Sequence, residues 1–386
     1  MQAQTSINSD HSQKQLISLL EEGVAQGAFP GAVGLIGRGN KILFEHAVGH
    51  KSLKSNRAEG NPQMTLDCVF DVAGLTSVMV TSVLLLRLMD EGKINLSDKV
   101  SRYLQGFGVH GKSKISIEQL LNHTSGLPQW VPFFEEILQE NTGPRLGIMT
   151  SRSAREFVYN QIQRLQLKTE TGTKQAYSDL GAILIGHIAE LLSGLSLDKA
   201  AVRYIFQPLQ MKSSSYIDLS MIRRRGIHPV TDLIAATEEC SWRKRVLCGE
   251  VHDDNAWAMG GIAGHAGLFT TIKDAFILAS ELHACFHSES KFISQETLLQ
   301  VFTPNESHYR AGFETPSKDN GMSDVGFSQN ALGINGFTGC SMWLEPETKV
   351  SILLFTNRIH PSRSNKKISA FRHEFYKQAI SSINNR

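Results

Sequence analysis

Apolar residues recur at helical spacing over residues 10–26 (Leu16, Leu19, Leu20, Val24), which predicts an amphipathic helix that Pro30 stops from continuing. Residues 32–37 and 42–48 are short apolar runs on either side of Arg38-Gly39-Asn40-Lys41, the pattern of two strands and their turn. A third short run ends at Ala73, and a long helix follows to about Glu91, where Gly92 supplies an inexpensive left-handed cap. Residues 78–89 of this helix are apolar nearly all round, so it is expected to lie buried between layers. From about 93 to 300 the pattern is mostly helical with long loops. Ser116-Ile117-Glu118-Gln119 is a capping box, and the short helix it opens is ended by Ser125-Gly126 and Pro128. Residues 151–166 are amphipathic. Leu180, Ile183, Leu184, Ile188, Leu191 and Leu192 form a helical stripe closed by Gly194. Residues 219–260 have no clear period and read as a long loop region crossing the molecule. Strand signals return at 341–344 and 350–355 around the turn-like Glu345-Pro346-Glu347-Thr348, and a last amphipathic helix covers about 366–380.

The order helix, hairpin, helical middle, hairpin, helix predicts an α+β fold. One antiparallel sheet is assembled from both chain ends, the terminal helices cover one face, and the Gly74 helix backs the other. Residues 10–92 and 300–386 would form this discontinuous sheet region, and 93–299 the inserted, mostly helical region.

Composition adds boundaries. The 386 residues are 41% hydrophobic and 20% charged, ordinary for a globular chain with a sizeable core. A net charge of +2 gives no electrostatic reason to expect nucleic acid or a membrane surface. No apolar run reaches the roughly 18 residues of a membrane span. Met1-Gln2-Ala3-Gln4-Thr5-Ser6 is polar, without the basic and apolar regions of a signal peptide, and five scattered cysteines suit reduced thiols; both point to the cytoplasm.

Three motifs carry the candidate chemistry. In Phe70-Asp71-Val72-Ala73-Gly74-Leu75-Thr76-Ser77-Val78-Met79, residues 74 and 77 lie one turn apart at a helix N-terminus whose unpaired N–H groups point outward. Tyr177-Ser178-Asp179 follows a turn and leads into the Leu180 helix. Asp179 reads either as a plain N-cap with Tyr177 a loop aromatic, or as part of a cleft. Gly333-Ile334-Asn335-Gly336-Phe337-Thr338-Gly339-Cys340 is a glycine-rich strand end.

Together these stretches resemble the serine β-lactamase and penicillin-binding-protein superfamily, in its β-lactamase/esterase branch. Relatives read Phe-Asp-Leu-Ala-Ser-Leu-Thr-Lys at the first motif and Gly-His-Thr-Gly-Phe-Thr-Gly at the third. Further matching stretches are His123-Thr124-Ser125-Gly126-Leu127-Pro128, Gly249-Glu250-Val251-His252-Asp253, Gly260 to Phe269 and Thr356 to Pro361, so the resemblance spans about residues 15 to 380. It implies a nucleophilic serine at position 74 and its activating lysine at 77, where this chain has Gly74 and Ser77. In the family a desolvated lysine takes the serine's proton. It further implies Tyr177 as the proton-transfer tyrosine, Asp179 as its Asn/Asp partner, and Ile334 where a basic residue would steer a substrate carboxylate. Gly336 would let substrate backbone lie against the strand, and the backbone N–H groups of Gly74 and Phe337 would form the oxyanion hole.

Other constellations have simpler readings. The Ser-x-x-Lys strings at Ser196, Ser288 and Ser364 lack an apolar strand before and a buried helix after them, and read as chance matches. The glycine-rich 260–267 run lacks a Gly-Lys-Ser/Thr ending and reads as a tight loop behind the site. His283, Cys285 and His287 read as surface helix residues rather than a zinc site, and His252-Asp253-Asp254 as a hydrogen-bonded turn. No cofactor and no metal is expected.

Three functions remain open. The first is a non-hydrolytic binding or regulatory protein whose cleft, with Gly74, Ser77, Tyr177, Asn335, Gly336 and Phe337, holds a small-molecule or peptide ligand or a protein partner. Cell-wall-derived peptides are implied by the family's substrates. The second is a weak serine hydrolase using Ser77 as nucleophile and Tyr177 as base. The third is a scaffold subunit whose cleft has no role.

Overall fold

The computed structural model describes residues 10–53, 61–140, 148–303 and 307–384; the N-terminal Met1 to Ser6 stretch read above lies outside them. A seven-stranded antiparallel sheet runs in the order Lys41–Gly49, Gly31–Arg38, Val350–Thr356, Ser341–Glu345, Leu332–Asn335, Phe313–Glu314, Tyr309–Arg310. Its centre joins the two chain ends, with Ala32 opposite Thr356 and Arg38 opposite Val350. Both anticipated hairpins are present, and Gly39 turns the first at φ +58°.

The central strands alternate two apolar faces. One face sends Ala32, Ile36, Trp343, Ile352 and Leu354 against Leu16 and Leu20 of helix Asp10–Ala25 and Phe371, Phe375 and Tyr376 of helix Ile368–Asn384. The other face, with Val33, Leu35, Met342, Leu344, Leu353 and Phe355, joins a larger core that includes the 75–90 helix. Helix Ile272–Phe286 also covers that face, packing on strands Gly31–Arg38 and Val350–Thr356. This corrects the surface reading for His283 and Cys285, while His287, just past the helix, is exposed as that reading has it. His283 is buried and hydrogen-bonds Ser351 Oγ at 3.0 Å, Cys285 is buried, and His287 reaches the Pro346 carbonyl.

The segment 219–260 is less irregular than its sequence suggests. It holds helix Leu219–Arg225, a hairpin of Glu239–Cys240 with Arg245–Val246, and helix Asp254–Ala258. These elements are too short to declare a period. The helix signals elsewhere are realised locally. Ser116 and Gln119 make the reciprocal capping-box bonds, and Gly194 ends helix Asp179–Ser193 at φ +68°. No single helix among the described residues is long and apolar enough to cross a membrane.

Candidate functional site

Strand Val69–Asp71 delivers the chain to a tight turn at the N-terminus of the 75–90 helix. Ala73 sits at φ +47°, a costly conformation for a residue with a Cβ. Asp71 holds the turn: its buried carboxylate accepts Ala73 N–H at 2.9 Å and His252 N–H at 2.7 Å. Burial raises the Asp71 carboxyl above its usual range even against those two bonds.

Gly74 follows and faces a cleft of about 540 Å³. A Cβ built on Gly74 would meet only Tyr177 Oη, at 3.6 Å, an ordinary contact. Ser77 takes another direction. It is 7% exposed, lies outside the cleft lining, and donates its hydroxyl to the Gly74 carbonyl at 2.7 Å, opening a π-helical stretch over Ser77–Ser82. This departs from the expectation that Ser77 reaches into the cleft, because its one-carbon arm meets the backbone first.

The far walls come from distant segments. Tyr177, on the loop before helix Asp179–Ser193, donates its hydroxyl to Asp179 Oδ1 at 2.8 Å. Burial and the Asp179 charge push the phenol well above its ordinary pKa, so it stays protonated. The loop is fixed by His123, whose Nδ1 accepts Ser178 N–H at 3.2 Å and whose ring packs between Tyr177 and Tyr309. Burial drives His123 down to about 4, which keeps it neutral. Asp179 is the first residue of its helix, and Ser178 occupies the cap position without a side-chain cap bond.

Beside Asp179 lies His265, paired with Asp253 at 2.8 Å. Burial opposes charge on His265, but Asp253 outweighs it and holds the imidazole above its usual pKa, while Asp253 falls to about 2. Asp253 also caps helix Asp254–Ala258 through Ala256 N–H at 2.7 Å. His252 bonds Glu238, which Arg363 also grips, and Asp254 pairs with Arg243 at 2.7 Å. The 252–254 cluster is therefore a hydrogen-bonded turn, and it forms one wall of the cleft.

The third motif lies opposite. Ile334, Asn335 and Phe337 line the cleft, with Phe337 51% exposed and Trp130 48% exposed at its mouth. Gly336 does not line it. A Cβ there would meet Val72 O at 2.8 Å and Leu75 Cδ1 at 2.9 Å, so this glycine admits the Gly74 turn rather than substrate backbone. Arg358 anchors the strand end by donating to the Phe337 carbonyl at 2.8 Å. The N–H groups of Gly74 and Phe337 donate to no protein group among the described residues.

The lining holds no serine, threonine, cysteine or lysine among the described residues. Its carboxylates are Asp179, Asp253, Asp254 and Glu314. Sequence reasoning missed Glu314, Tyr309, Trp130 and Arg363 as wall residues; they lie outside the three motifs and meet only through the fold. A side lobe of about 520 Å³ shares Tyr177, Tyr309, Glu314 and Asn335 with the main cleft. It adds Lys174, Ser317 and Ser369, and the Ser317 hydroxyl accepts Asn320 N–H at 3.4 Å.

An antiparallel sheet flanked by terminal helices, with a cleft between a helix N-terminus, a Tyr-x-Asp loop and a glycine-rich strand end, defines a molecule of the β-lactamase/transpeptidase type. The chain belongs to the Beta-lactamase family, whose model matches residues 16–377. It is 30% identical over 385 residues to the N-acetylmuramyl-L-alanine amidase of Bacillus subtilis (strain 168), covering 93% of this chain and 83% of that protein. It is 27% identical over 358 residues to a protein of Salmonella heidelberg (strain SL476) provisionally named a D-alanyl-D-alanine carboxypeptidase, covering 87% and 80%. Among solved structures, EstCE1, a hydrolase with promiscuous acyltransferase activity, superposes with a TM-score of 0.69 at 18% identity, covering 94% of this chain and 99% of that one. The octameric penicillin-binding protein homologue from Pyrococcus abyssi gives 0.67 at 18% identity, covering 94% and 76%. These structural likenesses concern the fold.

Proposed function

We propose that this chain is a non-acylating member of the Beta-lactamase family, a pseudoenzyme that binds an acylated amino acid or short peptide, of the cell-wall type that its relatives' names indicate. The observation that carries the reading is the lining: among the described residues the cleft keeps two unpartnered backbone N–H donors, at Gly74 and Phe337, yet presents no serine, threonine or cysteine nucleophile and no lysine, its hydroxyls being the phenols of Tyr177 and Tyr309. A pair of N–H donors without a nucleophile can hold a carbonyl or carboxylate oxygen but cannot form an acyl-enzyme. Gly74 leaves that oxygen extra room. Removing members of such a unit lowers the rate on the order of a millionfold, with binding-derived catalysis as the remainder.

A hydrolase built on Ser77 and Tyr177 has less support. The Ser77 hydroxyl is spent on the Gly74 carbonyl, and Tyr177 is a protonated donor to Asp179 rather than a base. Incubation with a chromogenic cephalosporin and with p-nitrophenyl esters tests the choice. No turnover is expected, while an acylated D-amino-acid peptide raises the thermal transition. Turnover that disappears in Ser77→Ala would establish the hydrolase instead.

A further inference from the structure

Away from the cleft, one stretch of the outer surface, 219–233, mixes apolar and basic side chains. Helix Leu219–Arg225 turns Leu219 and Ile222 toward the core, which leaves Met221, Arg224 and Arg225, three and four residues apart, exposed on its outer face. Gly226, at φ +64°, ends the helix and hands the chain to a loop. Pro229, Thr231 and Ile234 seat that loop: a Cβ on Gly249 would lie 2.7 Å from Pro229 Cγ, 3.3 Å from Thr231 Cγ2 and 3.5 Å from Ile234 Cδ1. Lys51 holds it from the side, donating to the Asp232 carbonyl at 2.6 Å. Ile227, Val230 and Leu233, spaced by three, are left outside, 66%, 77% and 46% exposed. Ile227 and Val230 are the two most exposed large apolar residues described. Arg223 is tied to the Met149 carbonyl at 2.9 Å, whereas Arg224 and Arg225 enter no ion pair among the described residues. Three arginines stand against one acid, Asp232, so these fifteen residues carry the +2 of the whole chain. The modest net charge of the chain hides this local excess.

A stable protein partner asks for a contiguous face with a desolvated centre. Here the apolar side chains stand singly along a loop, with guanidinium groups beside them. Such side chains can enter a soft interface one at a time, while the arginines meet lipid phosphates. We propose that the 219–233 surface docks this protein on an anionic lipid bilayer, with Ile227, Val230 and Leu233 in the headgroup layer and Arg224 and Arg225 on the phosphates. The docking is peripheral, since no single helix described is long and apolar enough to cross a membrane. It is independent of what the cleft binds.

The test is co-sedimentation of the full chain with vesicles of phosphatidylcholine alone and of equimolar phosphatidylcholine and phosphatidylglycerol. Sedimentation is expected with the mixed vesicles only, and it should weaken as salt is added. Each arginine at an anionic surface adds roughly fivefold in partitioning, so Arg224→Gln with Arg225→Gln should weaken binding by about thirtyfold. Ile227→Asp with Val230→Asp should release the protein although the arginines remain. All four side chains are exposed, so neither variant should shift the thermal transition. Equal partition to both kinds of vesicle, sedimentation with neither, or binding to the mixed vesicles that both variants keep overturns the proposal. A dimer in solution that Val230→Asp splits, without vesicle binding, overturns it too and assigns the surface to a second copy of the chain.

Discussion

At the scale of single residues, the cleft combines vacancy with constraint. Gly74 could carry a side chain, since a Cβ there meets nothing closer than 3.6 Å. Gly74→Ser is therefore expected to fold with a thermal transition within a few degrees of the native one, and a large loss would show that the turn is more crowded than this geometry. Glu314 gives a pH signature. Its native carboxyl is raised by burial to about 7, against 4.5 in the unfolded chain. Between those values the native state keeps a proton that the unfolded state releases, so stability falls as pH rises through that window. The ceiling of the effect is roughly 3 kcal/mol above pH 7. Glu314→Gln should melt higher than the native chain at pH 8 and alike at pH 4; equal melting at both would show that Glu314 ionises freely. Arg372 makes a parallel case. It is 8% exposed, its Nε and Nη2 have no hydrogen-bond partner among the described residues, and replacing an unpaired buried charge by an apolar residue is often stabilising, so Arg372→Met should raise the melting temperature; a lowered one would show that the guanidinium is well compensated.

At the scale of elements, the site depends on close backbone approaches. The loop before strand Leu268–Thr271 presses onto helix Asp179–Ser193, where a Cβ on Gly264 would lie 2.1 Å from the Ala182 carbonyl. The end of strand Leu332–Asn335 presses onto the Gly74 turn through Gly336. Gly264→Ala is expected to cost about 1–3 kcal/mol, measured by denaturant unfolding, because backbone must move to admit it. An unchanged midpoint would mean that the helix and loop can separate freely. Ser116→Ala should cost about 1 kcal/mol through the lost capping box, without touching the cleft.

At the scale of the whole molecule, the sheet that joins the two chain ends followed from the order of its elements. Both hairpins, the terminal helices and the capping box were readable from periodicity and turn chemistry, because their residues are neighbours in sequence. So were Gly74, Tyr177, Asn335 and Phe337 as cleft residues, through the motif frame. Ser77 and Gly336 were misplaced for local reasons: a short hydroxyl satisfied by its own turn, and a glycine serving turn packing rather than ligand. Glu314 and Arg372 gave no signal, since nothing in a sequence marks a carboxylate or guanidinium whose partner the fold withholds. The helix Ile272–Phe286 shows the same limit at larger scale. His283 and Cys285 read as surface residues in the sequence, because nothing local says that this helix lies on the sheet.

The central claim is that this family scaffold keeps its oxygen-binding donors without a group that can attack. Intact-protein mass after incubation with excess penicillin tests it most directly, with the native chain and the Gly74→Ser, Ser77→Lys double variant side by side. The account predicts no mass increase for the native chain and a slow penicilloyl adduct on the double variant. A penicilloyl adduct on the native chain would contradict it.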